Sequence, residues 1–309
     1  MSNKRLIVEI AEGLGNQLFM YSYAYALSKK LGYDLLIDNT SGFSKKKNQL
    51  RKHQQYMLNY FNIKQDIAPE SLKYDTSYKQ YKKKIEFFVD KFSIQKKFIK
   101  EKNIKIKGNK IALPMYVASP DKLSDLLYIQ GNFEDECYFK HLRDEVINLY
   151  KPSVNYIDRN NIMINSLKKT NSVSIHIRMN RYNEQSHEKN NKQKLLKSEQ
   201  FTKNIVDYTY RAISYFQDKI NDPIFFIWSN DLNSIKHYFN GPNFHFVGGN
   251  DVLNDFNLFS YAKHFIVGPS SFHWWGAWLN QNPNKLCVCP HNLSPSNNKN
   301  FYPLTWRRI

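Results

Sequence analysis

The chain has 309 residues, of which 41% are hydrophobic and 15% aromatic, enough apolar mass for two ordinary cores and too much for a wholly disordered chain. Its 45 basic and 27 acidic side chains give a formal charge of +18, so an anionic partner belongs among the expectations. Cys137, Cys287 and Cys289 are the only cysteines; without paired metal-ligand spacing they argue against a zinc module or a disulfide framework and suit a reducing cytoplasm. The first element in chain order is LIVEI at residues 6–10, interrupted by Glu9 and followed by glycines. It reads as a buried strand rather than a signal peptide or membrane anchor.

A glycine loop, Gly13-Leu14-Gly15-Asn16-Gln17, leads to an aromatic helix expected over residues 17–31, and DLLID at 34–38 completes a β-α-β unit. Leu18 stands at the third glycine position of the dinucleotide fingerprint, so the loop is not that motif, although close backbone approach to a phosphate or sugar is still allowed. Residues 41–110 carry 18 lysines and Arg51 against six acidic residues, a local balance of +13, and their elements are not assigned. Three readings of this basic segment stay open: a solvated surface, attraction to an anionic membrane or acidic glycan, and a nucleic-acid groove. No nucleic-acid module accompanies it, so no nucleic acid is expected as a partner.

After LLYIQGNF and a helical stretch to Tyr150, a boundary is expected between Pro152 and Thr170. This gives domains of 1–160 and 161–309. In the second, SVSIHIR (172–178), IFFIWSND (224–231), HFIVGPSS (264–271) and KLCVCP (285–290) read as strands. Helices are expected over 201–216 and 255–263, and the polar stretch 183–203 reads as a solvated loop. Alternating α/β elements in both halves predict two parallel sheets with a ligand cleft at strand ends.

The side chains at those ends carry the candidate chemistry. Arg178 suits a diphosphate clamp or a structural ion pair, and His176 lies on the same face of the same strand. Asp255 suits a helix cap or a carboxylate accepting the paired N–H donors of guanine. In SSFHWWGAWL (270–279), three of the five tryptophans follow two serines. Either the stretch is simply a core helix, or Ser270, Ser271 and Phe272 present N–H and hydroxyl groups to an anion while the tryptophans anchor the helix. His264 reads as structural, and Asp231 has no assigned role.

The ordered stretches GLGNQLFMYSYAYALSKKLG, GNFEDECYF, VSIHIRMNRY, FFIWSND and DFNLFSYAKHFIVGPSSFHWWGAWLNQNP together resemble the bacterial alpha-1,2-fucosyltransferases of glycosyltransferase family 11. The resemblance implies an α/β, GT-B-like architecture of two Rossmann-like domains facing across a cleft, the first on the acceptor side and the second binding the GDP-sugar. It further implies an inverting transfer of L-fucose from GDP-β-L-fucose to the 2-hydroxyl of a β-galactoside in a glycan; no Asp-x-Asp motif supplies a metal, so none is expected. No cofactor is implied. Arg178 becomes the catalytic arginine on the leaving diphosphate; His176, Asp255, Ser270, Ser271, Phe272 and Asn16 become donor-binding; Gly13, Gly15 and Gln17 fall on the acceptor or cleft loop. The family reads His-x-Arg-Arg-Gly-Asp-Tyr where this chain has His176-Ile177-Arg178-Met179-Asn180-Arg181-Tyr182. This departure keeps two rivals open, a transferase of another GDP-sugar and a non-catalytic GDP-sugar or glycan binder. The expected place is the cytoplasm, peripheral on the inner face of the plasma membrane.

Overall fold

The opening apolar run forms β1 (Arg5–Glu9), in which Leu6, Ile7 and Val8 are buried on both faces. The computed structural model describes residues 4–43, 54–101, 103–106, 109–112, 120–153, 161–179, 192–294 and 298–309. It divides into two compact units, Met1–Tyr156 with Asn298–Phe301, and Ile157–Asn297 with Tyr302–Ile309. The sequence places all of 161–309 in one domain, whereas Asn298–Phe301 belong to the first unit. There Asn298 Nδ2 donates to the Glu134 carbonyl at 2.9 Å and the Phe301 ring lies 6.2 Å from Phe19.

In the first unit β1 leads into α1 (Leu14–Leu31) and β2 (Asp34–Asp38). The helix begins three residues before the expected start because Gly13 caps it in extended geometry, which makes Leu14 its first helical residue. It ends at Gly32, whose φ of +71° is the left-handed conformation that glycine adopts without cost. The lysine-rich segment, left unassigned by its composition, supplies β3 (Asp66–Ile67), α2 (Ser77–Asp90), β4 (Lys96–Lys100) and an antiparallel pair, β5 (Asn103–Ile106) with β6 (Asn109–Ala112). β7 (Leu123–Gln130) and α3 (Arg143–Leu149) follow. The sheet is parallel in the order β3-β2-β1-β7-β4.

The second unit runs α4 (Asn161–Lys169), β8 (Asn171–Ile177), α5 (Lys192–Lys219), β9 (Pro223–Ser229), β10 (Phe244–Val247), α6 (Val252–Ser260), β11 (His264–Ile266), α7 (Ser271–Leu279), β12 (Cys287–Cys289) and β13 (Arg307–Arg308). Its sheet, in the order β10-β9-β8-β11-β12-β13, is also parallel. The solvated-loop expectation for 183–203 fails from Lys192 onward, where α5 already starts and turns Ser198, Phe201 and Thr202 inward. Its polar composition hides a single apolar stripe that the sheet covers. Residues 183–191 lie outside the described residues.

In each unit the chain first steps outward to one side of its first strand and then returns to the other side. The reversal falls between β1 and β7 in one sheet and between β8 and β11 in the other. Loops leaving adjacent strands diverge at such a point and leave a crevice at the carboxyl ends. Two parallel α/β units of this kind are the GT-B-like class that the motifs imply.

Candidate functional site

The reversal in the second unit gathers most of the predicted side chains. β8 delivers His176 and then the exposed Arg178, while β11 runs into Gly268-Pro269-Ser270 and α7. A Cβ at Gly268 would stand 3.3 Å from the His176 carbonyl, so the loop after β11 lies backbone to backbone against the end of β8. Ser174, on the same face of β8 as His176, is buried, with its hydroxyl 2.8 Å from His273 Nε2 on α7. That contact fixes α7 against the sheet, because an unpaired hydroxyl at this depth would cost more than the bond itself contributes.

His176 sits within an aromatic frame, its ring 5.9 Å from Phe272, 5.8 Å from Phe259 and 6.0 Å from His273. Its Nδ1 is buried without a hydrogen-bond partner among the described residues, as are His273 Nδ1 and Trp228 Nε1. Burial, with the Arg178 guanidinium second, lowers the His176 imidazole to about 4, so it is neutral at physiological pH. Burial, then His176, holds His273 well below the ordinary histidine value. The chain just past Arg178 is gripped by Asn230 at the end of β9: its Oδ1 accepts from the Met179 N–H at 2.7 Å and its Nδ2 donates to the Met179 carbonyl at 3.3 Å. Sequence reasoning missed Asn230, although its place at a strand end beside Asp231 was a signal. Asn180 and Arg181 lie outside the described residues.

Asp255 is not the cap of its helix. Asp251 takes that role, accepting from the Leu253 and Asn254 N–H groups at 3.0 and 2.9 Å, which shifts α6 three residues ahead of its expected start. Asp255, a turn further on, accepts from Asn250 Nδ2 at 3.0 Å. Burial raises its carboxyl above the ordinary range, opposed by Asn250 and by the nearby Trp228 indole N–H, which approaches without completing a hydrogen bond. A half-buried carboxylate among N–H donors is suited to accepting further donors from a ligand. Asp231 has a local role: it caps a single turn at Leu232–Ile235, accepting from the Ser234 N–H and hydroxyl at 3.1 and 2.6 Å.

Ser270 stands at the N-cap of α7 and is buried, yet its side chain caps nothing. Ser271 and the half-buried Phe272 open the helix, with Phe272 5.1 Å from Phe259 and 5.6 Å from Phe256. Behind them Trp274, Trp275 and Trp278 pack on one another at 5.0 to 5.9 Å, and Trp274 meets Trp306 at 5.7 Å. Gly276 lets α6 approach, since a Cβ there would stand 2.6 Å from Phe259 Cβ. Thus the tryptophans form core while the helix start remains at the strand ends. His264 is structural, its Nδ1 accepting from the Leu286 N–H at 3.1 Å.

Gly13, Gly15, Asn16 and Gln17 lie in the first unit. A Cβ at Gly13 would meet nothing within 4 Å and its φ is −79°, so the fold itself does not require glycine there. Glu12 before it takes φ +66°, and its carboxylate holds Asn16 Nδ2. Gln17 is fully buried, which corrects its placement as a presented loop residue. Its amide donates to the Glu12 and Gln55 carbonyls at 2.8 and 2.7 Å and accepts from the Met57 N–H at 2.9 Å, so it positions the loop from beneath.

Among the described residues no group of three or more His, Cys, Asp or Glu side chains is arranged to hold a metal ion, and no helix is long and apolar enough to cross a membrane.

Comparison with known proteins adds the following. The model of the family described as Glycosyl transferase family 11 matches residues 5–306. An Escherichia coli alpha-1,2-colitosyltransferase is 26% identical, with 98% of each chain covered. The E. coli O-antigen biosynthesis glycosyltransferase WbnK is 25% identical, covering 94% of this chain and 95% of its own. Among solved structures, NodZ alpha-1,6-fucosyltransferase soaked with GDP-fucose superposes with a TM-score of 0.46 at 12% identity, over 89% of this chain and 92% of that one. Fucosyltransferase NodZ from Bradyrhizobium gives 0.47 at 10% identity, over 88% and 92%.

Proposed function

Because the chain belongs to glycosyltransferase family 11, and is a glycosyltransferase, we propose that it transfers L-fucose from GDP-β-L-fucose to the 2-hydroxyl of a β-galactoside, leaving an α-1,2 linkage. The observation that carries this reading is the convergence of His176, Arg178, Asp255 and the Ser270–Phe272 helix start around one sheet reversal. Arg178 neutralises the departing diphosphate, a planar guanidinium matching two phosphate oxygens at once. The N–H groups opening α7 add their partial positive charge to the same oxygens. Asp255 accepts the N1–H and exocyclic amine of guanine.

In the reaction the acceptor oxygen bonds to the anomeric carbon as the bond from that carbon to the phosphate oxygen breaks. GDP leaves with the electron pair, the anomeric configuration inverts, and the hydroxyl proton is released. Each well-placed donor to the leaving group is worth about 3 kcal/mol of barrier. We propose that neither metal nor cofactor takes part. Gly13, at the N-cap of α1, is the acceptor-side element, since an open glycine that the fold does not need leaves room for a sugar.

A second reading has its own support: the relative named as a colitosyltransferase favours a donor carrying colitose, which is fucose without its 3-hydroxyl. The acceptor in either case is a galactose-containing glycan of the O-antigen kind suggested by the name of the other relative, assembled at the inner face of the membrane, to which the basic first unit is drawn. The test is incubation of the purified chain with GDP-fucose, GDP-colitose and GDP-mannose and a lactose-type acceptor, with and without EDTA, followed by mass spectrometry. A fucosylated product in EDTA supports the first reading and a colitosylated one the second. Binding of GDP-sugars without any product would leave a non-catalytic binder.

A further inference from the structure

Helix α2 is turned inside out. Three of its charged side chains point into the first unit: Lys83 pairs with Glu9, Glu86 accepts from Tyr74 Oη and Lys97 Nζ at 2.6 Å each, and Asp90 accepts from the Lys97 N–H at 2.6 Å. Its apolar side chains point out, apart from the half-buried Phe87, whose ring lies 5.9 Å from Phe98. Tyr78, Tyr81, Ile85 and Phe88, with Phe92 in the turn that follows, are 49–77% exposed. Their spacing of three, four, three and four residues places them in one stripe along the helix. Lys84 and Lys91 flank the stripe on one side and Lys82 on the other, all exposed.

We propose that this face of α2 docks on an anionic lipid bilayer, the aromatic and aliphatic stripe entering the boundary between headgroups and acyl chains while Lys82, Lys84 and Lys91 meet lipid phosphates. The proposal rests on the membrane contact suggested above and assigns it a surface. Charge complementarity selects the occupant, because Glu86 and Asp90 face inward while Lys82, Lys84 and Lys91 are exposed beside the stripe, as on an interfacial helix. A second copy is a poorer partner, since two such faces would bring their lysines together. Tyrosine and phenylalanine stripes also suit a surface that is apolar at depth and wet at its edge.

The experiment is cosedimentation of the full chain with vesicles of phosphatidylcholine containing 30% phosphatidylglycerol (roughly the charge that draws polybasic segments), and with pure phosphatidylcholine, at low and high salt. Binding to the anionic vesicles is expected. The combined Ile85→Ser, Phe88→Ser and Phe92→Ser variant should lose it by at least about tenfold at either salt, because apolar insertion is not screened. The Lys82→Gln and Lys84→Gln pair should weaken it by about fivefold per lysine at low salt and little at high salt. Circular dichroism and activity on a soluble acceptor should be unchanged in both variants, as these side chains face solvent. Three outcomes overturn the proposal: no binding by the native chain, full binding by the serine variant, or a native dimer that the serine variant splits without any vesicle binding. Vesicle binding needs no donor, so it stands or falls apart from the transferase assay.

Discussion

Lys83 and Glu9 form an ion pair inside the first unit, both nearly excluded from water, at the carboxyl end of β1. Tyr128 Oη joins it, lying 2.9 Å from Glu9 Oε2 and 2.7 Å from Asp38 Oδ2 with one proton for the two carboxylates, and the Lys83 ammonium lies 4.4 Å over the Tyr128 ring. Removing one member leaves the other charged and buried. Lys83→Gln should therefore destabilise the fold by about 3–5 kcal/mol. Lys82→Gln and Lys84→Gln, on the exposed side, should stay within about 0.5 kcal/mol. Urea denaturation of the three variants makes the comparison, and equal effects would contradict the inward orientation of Lys83.

Arg178→Lys should lower turnover by about 10²-fold with the fold intact, since an ammonium lacks the fork that spans two phosphate oxygens. Steady-state kinetics beside a thermal melt check it. Turnover kept within a few-fold would remove Arg178 from the diphosphate.

Asp255→Asn should weaken GDP binding far more than UDP binding, because guanine presents two donors to a carboxylate and uracil does not. Isothermal calorimetry with both nucleotides decides, and matched losses would end the guanine assignment. The cap at Asp251 is untouched by the change, so the helix should persist.

Acid should destabilise the second unit through His176. Its imidazole is neutral in the fold with a pKa of about 4, whereas the unfolded chain takes up its proton near the ordinary 6.5. The contribution is present in full above pH 6.5 and is lost as the pH falls toward 4, up to about 3 kcal/mol. Stability measured at pH 7 and 4.5 should show a smaller drop in His176→Asn than in the native chain. Some slope should remain from His273, whose shift has the same sign.

Gly13→Ala should melt at the native temperature and still lose acceptor affinity. A methyl group there meets no protein atom within 4 Å, so a loss in KM for the acceptor with an unchanged melt would mark the space as the ligand's. A native KM would show that the glycine serves neither fold nor acceptor.

How much of this was legible in the sequence depends on the range of the forces involved. The α/β alternation was legible because strands of a parallel sheet read as short apolar runs, as in β1 and β9, or as strict alternation, as in β8, whatever their partners. The helix start at Ser270, the strand end at His176 and Arg178, and the packed tryptophans were legible for the same reason, being properties of a few consecutive residues. What only the tertiary structure decided was the use of polar side chains. Lys82, Lys83 and Lys84 are chemically identical neighbours, and Glu9 with the Tyr74 and Tyr128 rings makes one of them core. Asp255 and Asp251 both suit a helix start, and the backbone path chose Asp251 as cap and left Asp255 for Asn250. Gln17 reads as a loop amide until residues 55 and 57 close over it. A polar group is satisfied by whichever partner the fold brings within about 3 Å. For Lys83 and Gln17 such partners lie dozens of residues away along the chain, where periodicity and local propensity carry no signal.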